Sequence, residues 1–363
     1  MRTRSAAAVL LSLVALLFGG VAQAQVAIPR PRDLLISDGT NDRILLFRPS
    51  TGATIEFSPR AGSGTNYLAR PSGIAVDPGG SIYVSSENAN VLVQIDPATG
   101  AQSVVHAWNV ISGDLGVLDV GTYPRGIDIA TTGTFLDPPD LYVMGGGALR
   151  RVSRGALGAT SSSIVSSDAS FTDNYNDLAL LEDGGGAITD IFVSGYAGLT
   201  RFRFDLMSAA STIDSFNLRD VEAVGSRLFV VQQDPCGPSQ TTQSGVWEVT
   251  PPTSNVLTPI SVGGLLECPL AVDAYSETEF YVLEYASGTR SLVRLDDQGG
   301  GTWTQTYLGD LAAGDGVDIY SMDVVPADYA PEPGAGPLGA CAVAIAVALR
   351  RRRTAADKRA RRD

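Results

Sequence analysis

Residues 73–100 read GIAVDPGGSIYVSSENANVLVQIDPATG. Three short apolar runs, Gly73–Asp77, Ile82–Val84 and Val91–Ile95, stand between turn residues. Val, Ile and Tyr fill the runs, and Asp-Pro, Gly-Gly and Thr-Gly divide them, the pattern of successive strands joined by tight turns. The first run has relatives at Gly126–Ala130, Asp177–Leu181, Asp220–Val224, Leu270–Ala274 and Asp318–Met322. Their aligned second positions, 74, 127, 178, 221, 271 and 319, lie 43 to 53 residues apart. The second run returns as Leu141–Val143, Ile191–Val193, Leu228–Val230 and Phe280–Val282, and Leu34–Ile36 is its earliest form. A third run and a more polar fourth follow in each set.

Four strands per unit at this spacing indicate an all-β chain, a β-propeller with four-stranded blades. One blade leaves both of its faces uncovered, so the units must stack around an axis. Six sets are present, with a circular shift: the chain enters at a second-type run, and its last first-type run, within Asp318–Val325, has no partners after it. The expectation is therefore a six-bladed ring over residues 25–325, closed by the C-terminal strand pairing into the N-terminal blade, which protects the sheet edges.

The G-I-A-V-D run followed by I-Y-V resembles six-bladed propellers of the NHL and gluconolactonase-like kind. As a pattern it spans residues 33–325, and the 73–100 unit carries it best. The resemblance implies the fold; propellers host enzymes and binding modules alike.

Both ends read as address labels. Residues 1–24 hold Arg2 and Arg4, an apolar run and a Val-Ala-Gln-Ala stretch, the layout of a secretory signal peptide. Residues 326–337 form a linker with Pro331, Glu332 and Pro333. Residues 338–363 hold a short apolar segment, read as a transmembrane helix, and the cluster Arg350, Arg351, Arg352 and Arg353. The basic cluster would stay cytoplasmic. Motif, helix and cluster together resemble the C-terminal sorting signal of PEP-CTERM proteins, with Cys341 as a departure. That resemblance implies an exosortase-like processing enzyme as partner and transient membrane association through the tail. It also implies export to the periplasm, cell surface or extracellular matrix of a Gram-negative bacterium.

Without these ends the chain holds 16 basic and 36 acidic residues, a net charge of −20. Such a surface repels nucleic acid. His106 is the only histidine and Lys358, in the tail, the only lysine. Histidine-cluster zinc sites and Schiff-base chemistry in the body are thereby excluded, and a Ser-His-Asp triad could use His106 alone.

In a four-stranded meander the loops after strands two and four share one face with the starts of the inner strands. That face gathers the candidates for binding, Trp108, Arg125, Asp234 and Glu284, with Glu87 and His106 beside them. At the inner-strand starts stand Asn176, Asp177, Asp220 and Asp318, oxygen donors suited to Ca²⁺. Gluconolactonase-like enzymes hold a divalent metal near the channel, and Asn176 sits where that family places an Asn. The alternative is that these residues hydrogen-bond backbone amides, as Asp and Asn commonly do. Cys236 and Cys268 fall on the same face of neighbouring blades, and an exported compartment permits a disulfide between them.

The leading expectation is an exported, surface-sorted binding module for a protein or polysaccharide ligand. A divalent-metal-dependent hydrolase or lactonase is the alternative. A structural matrix protein differs from the first only in its partner.

Overall fold

The computed structural model describes residues 28–59, 65–77, 79–108, 123–131, 139–145, 148–154, 160–166, 175–195, 198–203, 208–214, 218–232, 244–249, 256–286, 288–311 and 321–329. They form six antiparallel sheets of four strands each, a six-bladed β-propeller. Blade 1 runs outward through Met322–Val324, Leu34–Asp38, Arg43–Arg48 and Ala53–Ser58. Blade 2 comprises Pro71–Val76, Ile82–Ser86, Val91–Ile95 and Gln102–Ala107. Blades 3 to 6 start at inner strands Pro124–Ile129, Tyr175–Glu182, Leu218–Val224 and Pro269–Ser276.

The two-residue period of the strands builds the ring. Successive side chains of a strand point to opposite faces of its sheet. In blade 2, Ile82 and Val84 pack with Leu35, Ile44 and Leu46 of blade 1. The intervening Tyr83 joins Ile127, Leu141 and Val143 of blade 3. The same alternation places an apolar core at each of the six blade junctions.

The ring closes as the sequence predicts, through the C-terminal strand. Leu34 pairs with Val324, Leu35 with Asp323 and Ile36 with Met322. The register of the last two inner strands differs from the expected alignment. Position 74 pairs with Val84, and its structural equivalents are Val272, opposite Val282, and Met322, opposite Ile36, not residues 271 and 319. The irregularity between Pro269 and Ala271 matches the one between Leu218 and Asp220 in blade 5, so the one-residue difference lies in the sequence alignment, where Leu270-Ala271 resembles the start of the motif. The packed chain also continues past Val325, because Tyr329 is buried in the cluster that holds Leu35, Ile74 and Val325.

The signal segment, the Pro-Glu-Pro motif, the C-terminal apolar segment and the arginine cluster lie outside the described residues. Among the described residues no helix is long and apolar enough to cross a membrane.

Blades 2 and 3 approach closely at Gly73. A Cβ there would stand 2.2 Å from the Arg125 carbonyl oxygen and 2.8 Å from Ile127 Cγ2. Gly73→Ala is expected to cost about 1–3 kcal/mol of stability, the range for forced overpacking. Gly184→Ala, where a Cβ meets nothing within 4 Å, should stay within about 0.5 kcal/mol of the parent. Urea denaturation of both variants checks the contrast.

Candidate functional site

The inner strands carry acids at repeated positions, and these acids join neighbouring blades. Asp128 of blade 3 accepts the Leu180 N–H of blade 4 at 2.8 Å. Asp220 of blade 5 accepts the Val272 N–H of blade 6 at 2.6 Å. Asp273 of blade 6 accepts the Val324 N–H of blade 1. Asp323 of blade 1 accepts the Val76 N–H of blade 2 at 2.5 Å. At the other two junctions the Ser85 hydroxyl donates to the Arg125 carbonyl at 2.6 Å, and the Asn176 amide donates to the Leu218 carbonyl at 3.0 Å. Each buried amide so held is satisfied across a seam where no sheet ladder can serve it.

Three of these acids were not singled out in the sequence reading. Asp128, Asp273 and Asp323 lie opposite Tyr142, Tyr281 and Leu35 of their second strands, and Glu222 lies opposite Phe229. Ala75 and Ala179 occupy the same position in blades 2 and 4. Aligning the inner strands by these partners would have revealed the recurring acid.

The expected metal donors are placed as follows. Asp220 uses one oxygen for Val272 and the other for Val221 N–H at 3.1 Å. Asp177 shares a carboxyl–carboxyl hydrogen bond with Asp220. Asn176 is turned to Leu218, and Asp318 lies outside the described residues. Among the described residues no group of three or more His, Cys, Asp or Glu side chains is placed to hold a metal ion.

Burial dominates the electrostatics of this cluster. It pushes the carboxyls of Asp128 and Asp273 up to about 7. Burial, reinforced by Asp273, Asp128, Asp323 and Asp220, lifts Glu222 well above the usual carboxylate range. Asp177 is raised by burial and then by Asp220. Carboxyl groups so close together hold protons in order to coexist.

The loop face is built differently. Glu87 is buried and receives Arg125 at 3.1 Å and Arg70 at 3.4 Å. Beside it Asn90, at a positive φ of 52°, grips both ends of the 109–122 segment. Its carbonyl accepts Trp108 N–H at 3.1 Å, and its side-chain oxygen accepts Tyr123 N–H at 3.0 Å. Asn suits both tasks, because it tolerates the left-handed region and bonds backbone locally. Trp108 is buried, with its indole N–H unpartnered, and packs edge-on against His106 at 4.9 Å. His106 thus stands in an aromatic contact.

Glu284, expected at a strand end, is fully buried inside the strand Glu279–Ala286, and one of its carboxyl oxygens has no partner. The other accepts Cys268 N–H, and burial pushes the group up to about 7. Cys268 is buried and in the disulfide state. Its expected partner, Cys236, lies outside the described residues, as does Asp234, so the Cys236–Cys268 pairing stands as a proposal. On the opposite face, where no site was expected, a cavity of about 410 Å³ opens between blades 3, 4 and 5, lined by Asp128, Ile129, Leu180, Glu182 and Ala223.

No protein-family model matches the chain, and no curated protein matches it. Solved structures do. A chain of a nidogen/laminin complex superposes with a TM-score of 0.55 at 12% identity, covering 81% of this chain and 98% of that one. A protein of unknown function from Bacteroides caccae superposes with a TM-score of 0.56 at 12% identity, again over 81% and 98%. At such identities the likeness is one of fold alone.

Removing an inter-blade acceptor should be costly. Asp220→Ala leaves the Val272 N–H without its partner and is expected to lose about 1–3 kcal/mol. Asp220→Asn keeps one acceptor oxygen and should lose less. Equal stability of the alanine variant and the parent in urea would refute the structural role of this bond.

Proposed function

We propose that the chain is an exported propeller that works as a binding module, with its specificity in the loop face. The observation that carries this reading is the use of Asp220. Both of its oxygens, which a metal-dependent hydrolase would turn to an ion, accept backbone amides: one holds Val272 of blade 6, the other Val221 of its own strand. The loop face, by contrast, is fixed at its base by the Glu87–Arg125 pair and Asn90.

In this reading residues 1–24 direct export, and residues 331–363 direct sorting to the cell surface by an exosortase-like enzyme. The ligand is a protein or polysaccharide of the extracellular matrix. A net charge of −20 between the two end segments disfavours nucleic acid as a partner. A second reading, a Ca²⁺-dependent hydrolase of the lactonase kind, draws support from the carboxyl cluster around Asp177, Asp220 and Glu222.

Two measurements separate the readings. The purified chain, tested with Ca²⁺ and a set of lactones, is expected to show no Ca²⁺-dependent turnover and no thermal stabilisation by the ion. It should instead be retained by exopolysaccharide-bearing cells. Ca²⁺-dependent turnover that vanishes in Asp177→Ala would select the hydrolase. Deleting residues 331–363 should shift the protein from the cell surface to soluble fractions, and unchanged surface retention would overturn the sorting role.

A further inference from the structure

The ring closes on a strand of three residues, Met322–Val324, and two carboxyl groups meet there. Asp323 of this closing strand is hydrogen-bonded to Asp273 of the last blade. A carboxyl–carboxyl hydrogen bond needs a proton on one of the two groups. The pair also reaches outward in both directions. Asp273 accepts Val324 N–H, and Asp323 accepts Val76 N–H at 2.5 Å. One contact, the carboxyl–carboxyl bond, needs the proton; the amide bonds from Val324, Val76 and Ala274 N–H, the last at 2.6 Å, are made to either form, so ionisation acts on the closing strand through lost pairing and like-charge repulsion.

We propose that the proton shared by Asp273 and Asp323 is a latch on the closing strand, holding the ring shut in mildly acidic medium and loosening it as the pair ionises. Among the described residues, the side chains that raise the pair's proton affinity through their charge are all acids. Asp220 and Glu222 of blade 5 and Asp128 of blade 3 face the pair with like charge, and Asp177 of blade 4 adjoins Asp220. Blade 2 contributes Ala75, and blade 1 contributes Leu35.

The direction of the pH effect follows from the sign of the shifts. Burial raises Asp273 to about 7, and burial together with Asp273 raises Asp323 well above its ordinary value. A group whose folded carboxyl binds its proton more tightly than the unfolded chain does stabilises fully below about pH 4 and loses that contribution as pH rises through the folded value. The latch is therefore strongest in acid and fails on the alkaline side of neutrality.

The test uses the full exported chain between pH 5.5 and 8.5. Global unfolding in urea is read beside amide exchange at residues 322–325, corrected for the intrinsic rate. The unfolding equilibrium constant should rise by up to about tenfold per pH unit for each proton that only the folded state holds. Exchange at residues 322–325 should rise more steeply with pH than exchange at Leu180, whose amide is held by Asp128. Asp323→Asn keeps a donor for Asp273 and an acceptor for the Val76 N–H without ionising, so it should flatten the local slope. Where Asp323→Asn does not fold, Asp273→Asn gives the same readout from the other side. A local slope unchanged in the variant, or stability that rises with pH, overturns the latch.

Discussion

A carboxylate on one inner strand accepting an amide from the next is the contact on which this ring depends. Apolar packing fills the space between blades, but it is non-directional and would tolerate sliding. Hydrogen bonds fix register. Asp128, Asp220, Asp273 and Asp323 each set the height of one blade against its neighbour, and Ser85 and Asn176 do so at the remaining seams. The acids crowd because every blade brings its inner strand to the same axis. Their crowding raises their proton affinity, and stability and electrostatics become a single problem.

That arrangement divides labour between the parts of the molecule. The axis is occupied by groups that hold the blades together. The loop face is held at its base by a few polar contacts, those of Glu87 and Asn90 among them. Asn90 shows how little is needed: one side chain and one carbonyl in a left-handed turn fix both ends of a segment of fourteen residues, 109–122. Connecting loops set on a rigid scaffold are where binding residues concentrate.

Most of the architecture was legible because each strand announces itself twice, by alternation and by the turn that ends it. The second strands, with Tyr83, Tyr142, Phe192, Phe229 and Tyr281 at matching positions, carry the repeat most clearly. The inner strands are less regular, and the two misaligned ones show why. Leu270-Ala271 imitates the motif one residue early, and the apolar Ile319-Tyr320 dipeptide imitates it three residues before the strand that pairs. The inter-blade acids were hidden by the same local reading. An aspartate inside an apolar run looks like the start of a turn until the six strands are laid side by side. Asp220 was named for its oxygens, and its backbone partner on another blade, Val272, is fifty-two residues away and invisible to local pattern.

The closing strand has a consequence for how the molecule comes into being. Leu34 and Val324 are paired neighbours in the fold, yet almost the whole chain lies between them. Local hairpins can form as the polypeptide emerges, but a contact of such separation waits for the entire body, and long-range pairing is slow for that reason. Until residue 324 arrives, the second strand of blade 1 stands as an open edge able to pair with another chain. Maturation thus has one vulnerable interval, which ends with the arrival of three residues, Met322, Asp323 and Val324.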